Sequence, residues 1–248
     1  MAGHSQFKNI MHRKGAQDSK RARTFAKLTR EIIVAAKSGL PDPATNPRLR
    51  SALAAARGVN MPKDNIERAL KKVIGGEDNT NYDEVRYEGY GIGGVAVIIE
   101  GLTDNRNRTA SEIRSIFTKH GGSLGETGGV AFQFERVGLI SFDRAKGFDT
   151  VFEAAVEAGA DNVDDTEDAL EITCPMDAFA TVRDAVIETL GDPMEAKIMW
   201  RPLNTINCDE DAARTLIKMI DTLEDNDDVQ NVYANFEVTD EVAQKLAS

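Results

Sequence analysis

Cysteine is nearly missing from this chain: Cys174 and Cys208 are the only two thiols in 248 residues. They have neither CxxC spacing nor a neighbouring His, which excludes a disulfide framework and a structural zinc site. Aromatic residues are also scarce, at 6% with a single Trp. No strand carries the Arg/Lys-Gly-aromatic-Gly/Ala-aromatic pattern on which an RNA-recognition motif stacks bases. No run of about 18 apolar residues exists, so nothing is expected to span a membrane. The N-terminal MAGHSQFKNIMHRKG is positive but has no apolar stretch behind it, so it does not read as a secretory signal. Low-complexity segments are absent. With 41% hydrophobic and 29% charged residues the chain is too apolar and too varied for disorder. Its length fits about two domains, with one or three allowed. A soluble, cytoplasmic protein is the expectation.

The net charge of −11 conceals a division. Residues 1–76 carry 16 Lys+Arg against 5 Asp+Glu, and the remainder carries 14 against 36, so a head of +11 precedes a body of −22. Binding follows the local field of one face rather than the average, so the head is a candidate polyanion surface.

The head reads as three helices. Over 17–37, Ala22, Phe25, Ala26, Thr29, Ile32, Ile33 and Ala36 recur at the spacing of one buried helical face, and Gly39 and Pro41 end the run. Asn46-Pro47 opens a second helix closed by Gly58. Pro62 opens a third, apolar at Ile66, Ala69, Leu70 and Val73 and stopped by Gly75-Gly76. The body alternates strands and helices. Strand 94–101, helix 106–119 and strand 129–137 come first. Strand 139–142, helix 149–158, strands near 161–165 and 169–173, helix 177–190 and strand 195–202 then complete a β-α-β-β-α-β set, the ferredoxin-like plait. A strand near 205–208, helix 210–223 and strand 229–238 follow. The expected fold class is α+β: an N-terminal three-helix bundle plus two ferredoxin-like α/β plaits, one inserted in the other. The corresponding domains are 1–80, 81–137 with 204–248, and 138–203.

No catalytic constellation stands out, and no cofactor or metal ligand set is expected. Gly89-Tyr90-Gly91-Ile92-Gly93-Gly94 matches G-x-G-x-x-G, but it leads into a strand, whereas the phosphate-binding version opens a helix. A tight glycine turn is the expected role. The carboxylates Asp161, Asp164, Asp165, Glu167 and Asp168, and Asp225, Asp227 and Asp228, lack the glycine of a calcium loop and read as polar turns. His4, His12 and His120 have no metal-ligand spacing.

The positive evidence is cationic. At 100° per residue, Lys20, Arg23, Lys27, Arg30 and Lys37 occupy an arc of about 100°, turned about 140° from the apolar face, with Arg21 beside them. Lys8, His12, Arg13 and Lys14 precede this helix. Arg48, Arg50, Arg57, Lys63, Arg68, Lys71 and Lys72 follow on the other two. Arg106 and Arg108 sit where a strand hands over to a helix N-terminus, with Asn105 and Asn107 as cap candidates, a geometry suited to an anion. The expected nucleic-acid-binding residues are Lys8, Arg13, Lys14, Lys20, Arg21, Arg23, Lys27, Arg30, Arg106 and Arg108.

The stretches MAGHSQFKNIMHRKGAQDSKRARTFAKLTREI (1–32), MPKDNIERALKK (61–72), YEGYGIGGVAVIIEGLTDNRNRT (87–109) and GGSLGETGGVAFQFE (121–135) resemble the YebC/PmpR family of transcriptional regulators, related to mitochondrial translational activators. This chain has Phe7 where that family typically has Trp, and Ile92 where it has Pro. The resemblance implies a three-domain cytoplasmic protein without a cofactor that binds DNA, or ribosomal or messenger RNA. The leading expectation is a non-enzymatic, DNA-binding transcriptional regulator anchored by the basic head, with a protein partner on the acidic plaits and no membrane partner. The alternative is a ribosome- or RNA-associated translation factor. A third reading is an enzyme acting on a phosphorylated ligand at the glycine-rich turn and Arg106/Arg108.

Overall fold

The structure, a computed structural model, describes residues 17–76 and 80–247. In chain order it runs α1 (Gln17–Ser38), α2 (Pro47–Gly58), α3 (Lys63–Ile74), β1 (Asp83–Tyr90), β2 (Ala96–Thr103), α4 (Arg106–Lys119) and the short β3 (Ser123–Leu124). It continues with β4 (Phe134–Phe142), α5 (Phe148–Glu157), β5 (Asn162–Asp165), β6 (Leu170–Pro175), α6 (Phe179–Leu190) and β7 (Glu195–Pro202). Last come β8 (Ile206–Asn207), α7 (Glu210–Glu224), β9 (Val229–Ala234), β10 (Phe236–Glu237) and α8 (Asp240–Ala247). N-terminal helices followed by antiparallel four-stranded sheets make this an α+β fold. The described residues divide into two compact units, 31–76 with 136–201, and 17–30 with 80–135 and 202–247.

In the first unit, the helices obey their punctuation. The Asn46 side chain caps α2 by accepting from the Leu49 N–H at 3.0 Å, while its amide donates to Ala35 O and Leu40 O. Leu49, Leu53 and Ala56 are buried along that helix, and Ile32, Ala35 and Ala36 along the end of α1. The sheet of this unit has the order β5-β6-β4-β7, with β6 antiparallel to both β5 and β4. That is the order of a ferredoxin-like plait, in which α5 and α6 bury Val151, Ala155, Val182 and Val186 against Ile140 and Ile172.

Strands 129–137 and 139–142 are in fact one strand, β4, which starts at Phe134. A glycine inside a strand reads as a break, but Gly138 is there for room. A Cβ on it would lie 2.5 Å from the Phe179 ring and 2.7 Å from Cys174 Sγ. Gly138→Ala is therefore expected to lower stability by about 1–3 kcal/mol, the cost of overpacking, read as a lower urea midpoint at unchanged slope.

In the second unit, β3-β1-β2-β9 form an antiparallel sheet covered by α4 and α7. Val97 and Ile99 of β2 pack on Ile113 and Phe117 of α4 and on Leu216, Met219 and Ile220 of α7. Strand β1 was not expected. It pairs with all of β2, Asp83 opposite Thr103 and Tyr90 opposite Ala96, and the segment expected as strand 129–137 plays no part in this sheet. The glycine-rich segment is the turn of that hairpin: Gly91 N–H donates to Val95 O, and Gly93 and Gly94 take φ of +72° and +77°. The last expected strand is interrupted at Asn235, whose side chain accepts from Ala96 N–H at 2.7 Å. Helix α8 was not anticipated either.

Candidate nucleic-acid interface

The structure alters the expected geometry of α1. Ala22 and Ala26, on the face predicted to pack, are exposed, whereas Arg23, Lys27 and Arg30 are half-buried. Their counterpart is the turn between α7 and β9. That turn is fixed by local bonds: Asn226 N–H donates to Leu223 O, Asp228 N–H donates to the Asn226 side chain, and Asn226 Nδ2 donates to Glu112. A bulge at Glu100/Gly101 brings β2 against it, so that Leu102 N–H donates to Asp228 O and a Cβ on Gly101 would lie 2.6 Å from that carbonyl.

Asp228 is the centre of the arrangement, with its side chain 5% exposed. Its Oδ1 accepts from Arg30 at 3.1 Å, and its Oδ2 accepts from Arg108 at 2.7 Å and from the Thr109 hydroxyl at 2.6 Å. Burial alone would raise the Asp228 carboxyl, but the bonds from Arg108 and Thr109 and the Arg108 and Arg30 charges outweigh it and hold it below the usual carboxylate range. Arg108 also meets Asp104, and its own pKa is raised, first by the Asp228 bond. Arg30 donates in addition to Leu102 O and Asp227 O, and its guanidinium lies 5.0 Å from the centre of the Tyr82 ring. Arg23 pairs with Asp225, and Lys27 donates to Glu224 O at 2.7 Å. Burial lowers the Lys27 pKa, and Glu224, Asp225 and Asp227 oppose that shift. Arg106 pairs with Asp83 at 2.8 Å.

Of the expected binding residues, then, Arg23, Lys27, Arg30 and Arg108 converge on the turn 224–228, and each has a carboxylate or carbonyl partner. Arg21 lies over the Phe25 ring at 5.3 Å. Lys20 belongs to α1, with its side chain outside the described residues, and Lys8, Arg13 and Lys14 lie outside them altogether. Exposed cations without an acidic partner among the described residues on the other two head helices are Arg57, Arg68, Lys71 and Lys72, together with Arg50, which donates to Pro43 O and Ala44 O. Arg68, Lys71 and Lys72 share one face of α3 at i, i+3, i+4 spacing.

The glycine turn and Arg106/Arg108 do not form one site. They lie at opposite ends of the β1–β2 hairpin, seven residue steps or about 23 Å apart. Asn105 does cap α4, accepting from Arg108 N–H. Cys174 and Cys208 are buried free thiols, and burial pushes both upward.

One buried carboxylate had escaped notice in the sequence. Glu88 of β1 accepts backbone N–H bonds from Val130 and Ala131, each at 2.9 Å, and lies beside Arg86. Burial raises its pKa, but those N–H groups and Arg86 bring the net shift below the usual range. Only the adjacency of GGVA in space, across 42 positions, reveals that pairing.

The described chain is thus an α+β protein with a cation-rich helical head and two antiparallel α/β layers. Residues 5–76 match the TACO1/YebC N-terminal domain and residues 82–236 match the TACO1/YebC second and third domain, so the chain belongs to the TACO1/YebC family. It is similar to the crystal structure of a conserved hypothetical protein, Aq1575, from Aquifex aeolicus, with 44% identity and a TM-score of 0.82 over 92% of this chain and 95% of that one. Among the described residues no helix is long and apolar enough to cross a membrane.

Proposed function

We propose that the protein is a cytoplasmic, non-enzymatic regulator of gene expression that binds DNA through its basic helical head. The observation that carries this reading is that the exposed head cations Arg57, Arg68, Lys71 and Lys72 have no acidic partner among the described residues, in a segment where 16 Lys+Arg face 5 Asp+Glu. The face of α3 that carries Arg68, Lys71 and Lys72 also holds Asp64, but its cations outnumber its acids, and such a face releases counterions when it meets phosphates. Lys8, Arg13, Lys14, Lys20 and Arg21 belong to the same cation-rich segment of the sequence and are counted with them in this reading. Arg23, Lys27, Arg30, Arg106 and Arg108 would first have to leave their internal partners. The family's description as a transcriptional regulator points the same way. A three-part organisation, 1–80, 81–137 with 204–248, and an inserted 138–203, accompanies the proposal. It is supported by the hydrogen bond from Leu203 N–H to Gln133 O at 2.9 Å, which brings the flanks of the insertion together.

Phosphate contacts alone do not distinguish DNA from RNA, so a ribosome- or RNA-associated translation factor is the second reading. Mild crosslinking in cells, followed by recovery of the protein, separates the two. Chromosomal DNA is the expected companion, and ribosomal RNA in its place would transfer the function to translation.

A further inference from the structure

Helix α5 presents three different faces. Val151, Ala154 and Ala155 are buried against the sheet. Phe148, Phe152 and Val156, at i, i+4 and i+8, are 39%, 45% and 58% exposed, and the two rings stack at 5.7 Å. Asp149, Glu153 and Glu157 form a parallel row one residue on, all exposed and without a cationic partner among the described residues. At 100° per residue the exposed apolar row covers about 80°, the acidic row the next 80° and the buried face the remainder.

Single exposed apolar side chains are ordinary, but a continuous row beside a row of unpaired carboxylates is not. The helix contains no Lys or Arg. Asp149 stands in the first turn, where the helix dipole favours an anion, but Glu157 stands in the last turn, where the dipole disfavours one, so the dipole does not account for the row as a whole. The two cations that precede it are engaged elsewhere, Arg144 with Asp165 and Lys146 with Leu190 O.

We infer that this face of α5 docks a basic amphipathic helical segment of a partner protein, whose apolar side chains cover Phe148, Phe152 and Val156 and whose Lys or Arg residues pair with Asp149, Glu153 and Glu157. Charge decides between occupants. Nucleic acid and anionic lipid are repelled by the acidic row. A second copy packed antiparallel about a two-fold axis would set the acidic row against itself, and one packed parallel would leave both acidic rows without cations. A cationic helix places opposite charges along the same line and buries the apolar row.

The test uses the full chain and a fluorescein-labelled Lys/Leu amphipathic peptide of about fifteen residues, with a scrambled peptide of equal composition as control, read by anisotropy. The amphipathic peptide is expected to bind at least about tenfold more tightly than the scrambled one, and Phe152→Ala to weaken it by about tenfold, as for loss of an aromatic anchor. Asp149→Asn/Glu153→Gln/Glu157→Gln is expected to flatten its salt dependence. The substituted side chains are exposed, so folding is retained and is checked by far-UV circular dichroism. Equal binding of the two peptides, or indifference to both variants, overturns the proposal. So does a dimer in sedimentation that dissociates on Phe152→Ala, which would make the occupant a second copy.

Discussion

Asp228→Asn is expected to lower the unfolding free energy by about 2–3 kcal/mol, far more than any other single carboxylate in the acidic turns. The side chain is buried, and its two oxygens serve Arg30, Arg108 and Thr109. An amide keeps the shape but removes the charge, and its NH2 group points donors at donors. Exposed surface on the two arginines lets water recover part of the loss, so the cost stays below that of a fully buried pair. Asp225→Asn is the control: Asp225 and Arg23 are 52% and 38% exposed, and their separation is expected to cost under about 1 kcal/mol. Urea unfolding of both variants decides the matter, and equal midpoints would mean that the Asp228 network contributes no more than a surface pair.

The same site governs acid stability. The Asp228 and Glu88 carboxyls are held below their ordinary range in the folded protein, so between the unfolded and folded values the unfolded chain binds more protons. Their contribution is complete above the ordinary carboxylate range, near about pH 4, and is lost as the pH falls through the lowered folded values. Asp228→Asn is expected to flatten the fall of stability with acid in that window and to leave the slope near neutrality unchanged.

Much of the architecture was legible because its causes are local. Asn46-Pro47, Pro62 and Gly75 bound helices through backbone chemistry that a few residues decide, and the glycine turn announced itself by leading into a strand. The packing of α1 was not legible, and for a physical reason. Periodicity counted Ala22 and Ala26 as buried and the cations as solvated, but two alanines offer little area, while the methylene stems of Arg23, Lys27 and Arg30 bury readily when their heads find acceptors. Those acceptors lie 202 positions away in the case of Arg23 and Asp225. Asp225, Asp227 and Asp228 were visible as a cluster, yet nothing in their spacing says which helix they meet. The β1 strand was obscured by its mixture of exposed charges, as its burial begins only at Glu88 and Gly89.

This repartition of the head cations sets the prediction for nucleic acid. Replacing Arg57, Arg68, Lys71 and Lys72 together by Gln is expected to spare the fold, since all four are exposed and lack acidic partners among the described residues. Each lost phosphate contact flattens the dependence of log affinity on log salt by about 0.9 for duplex DNA, so the quadruple change reduces the slope by up to ~3.6. The loss should be nearly equal across sequences, because phosphate contacts position a protein without reading bases. Replacing Lys20, Arg23, Lys27 and Arg30 is a different experiment: it also frees the turn 224–228, so its effect on affinity mixes with lost stability. The two sets are compared where thermal melts show both proteins folded. Unchanged affinity and slope in the Arg57/Arg68/Lys71/Lys72 variant would remove these four residues from the interface and overturn the reading that they carry the phosphate contacts.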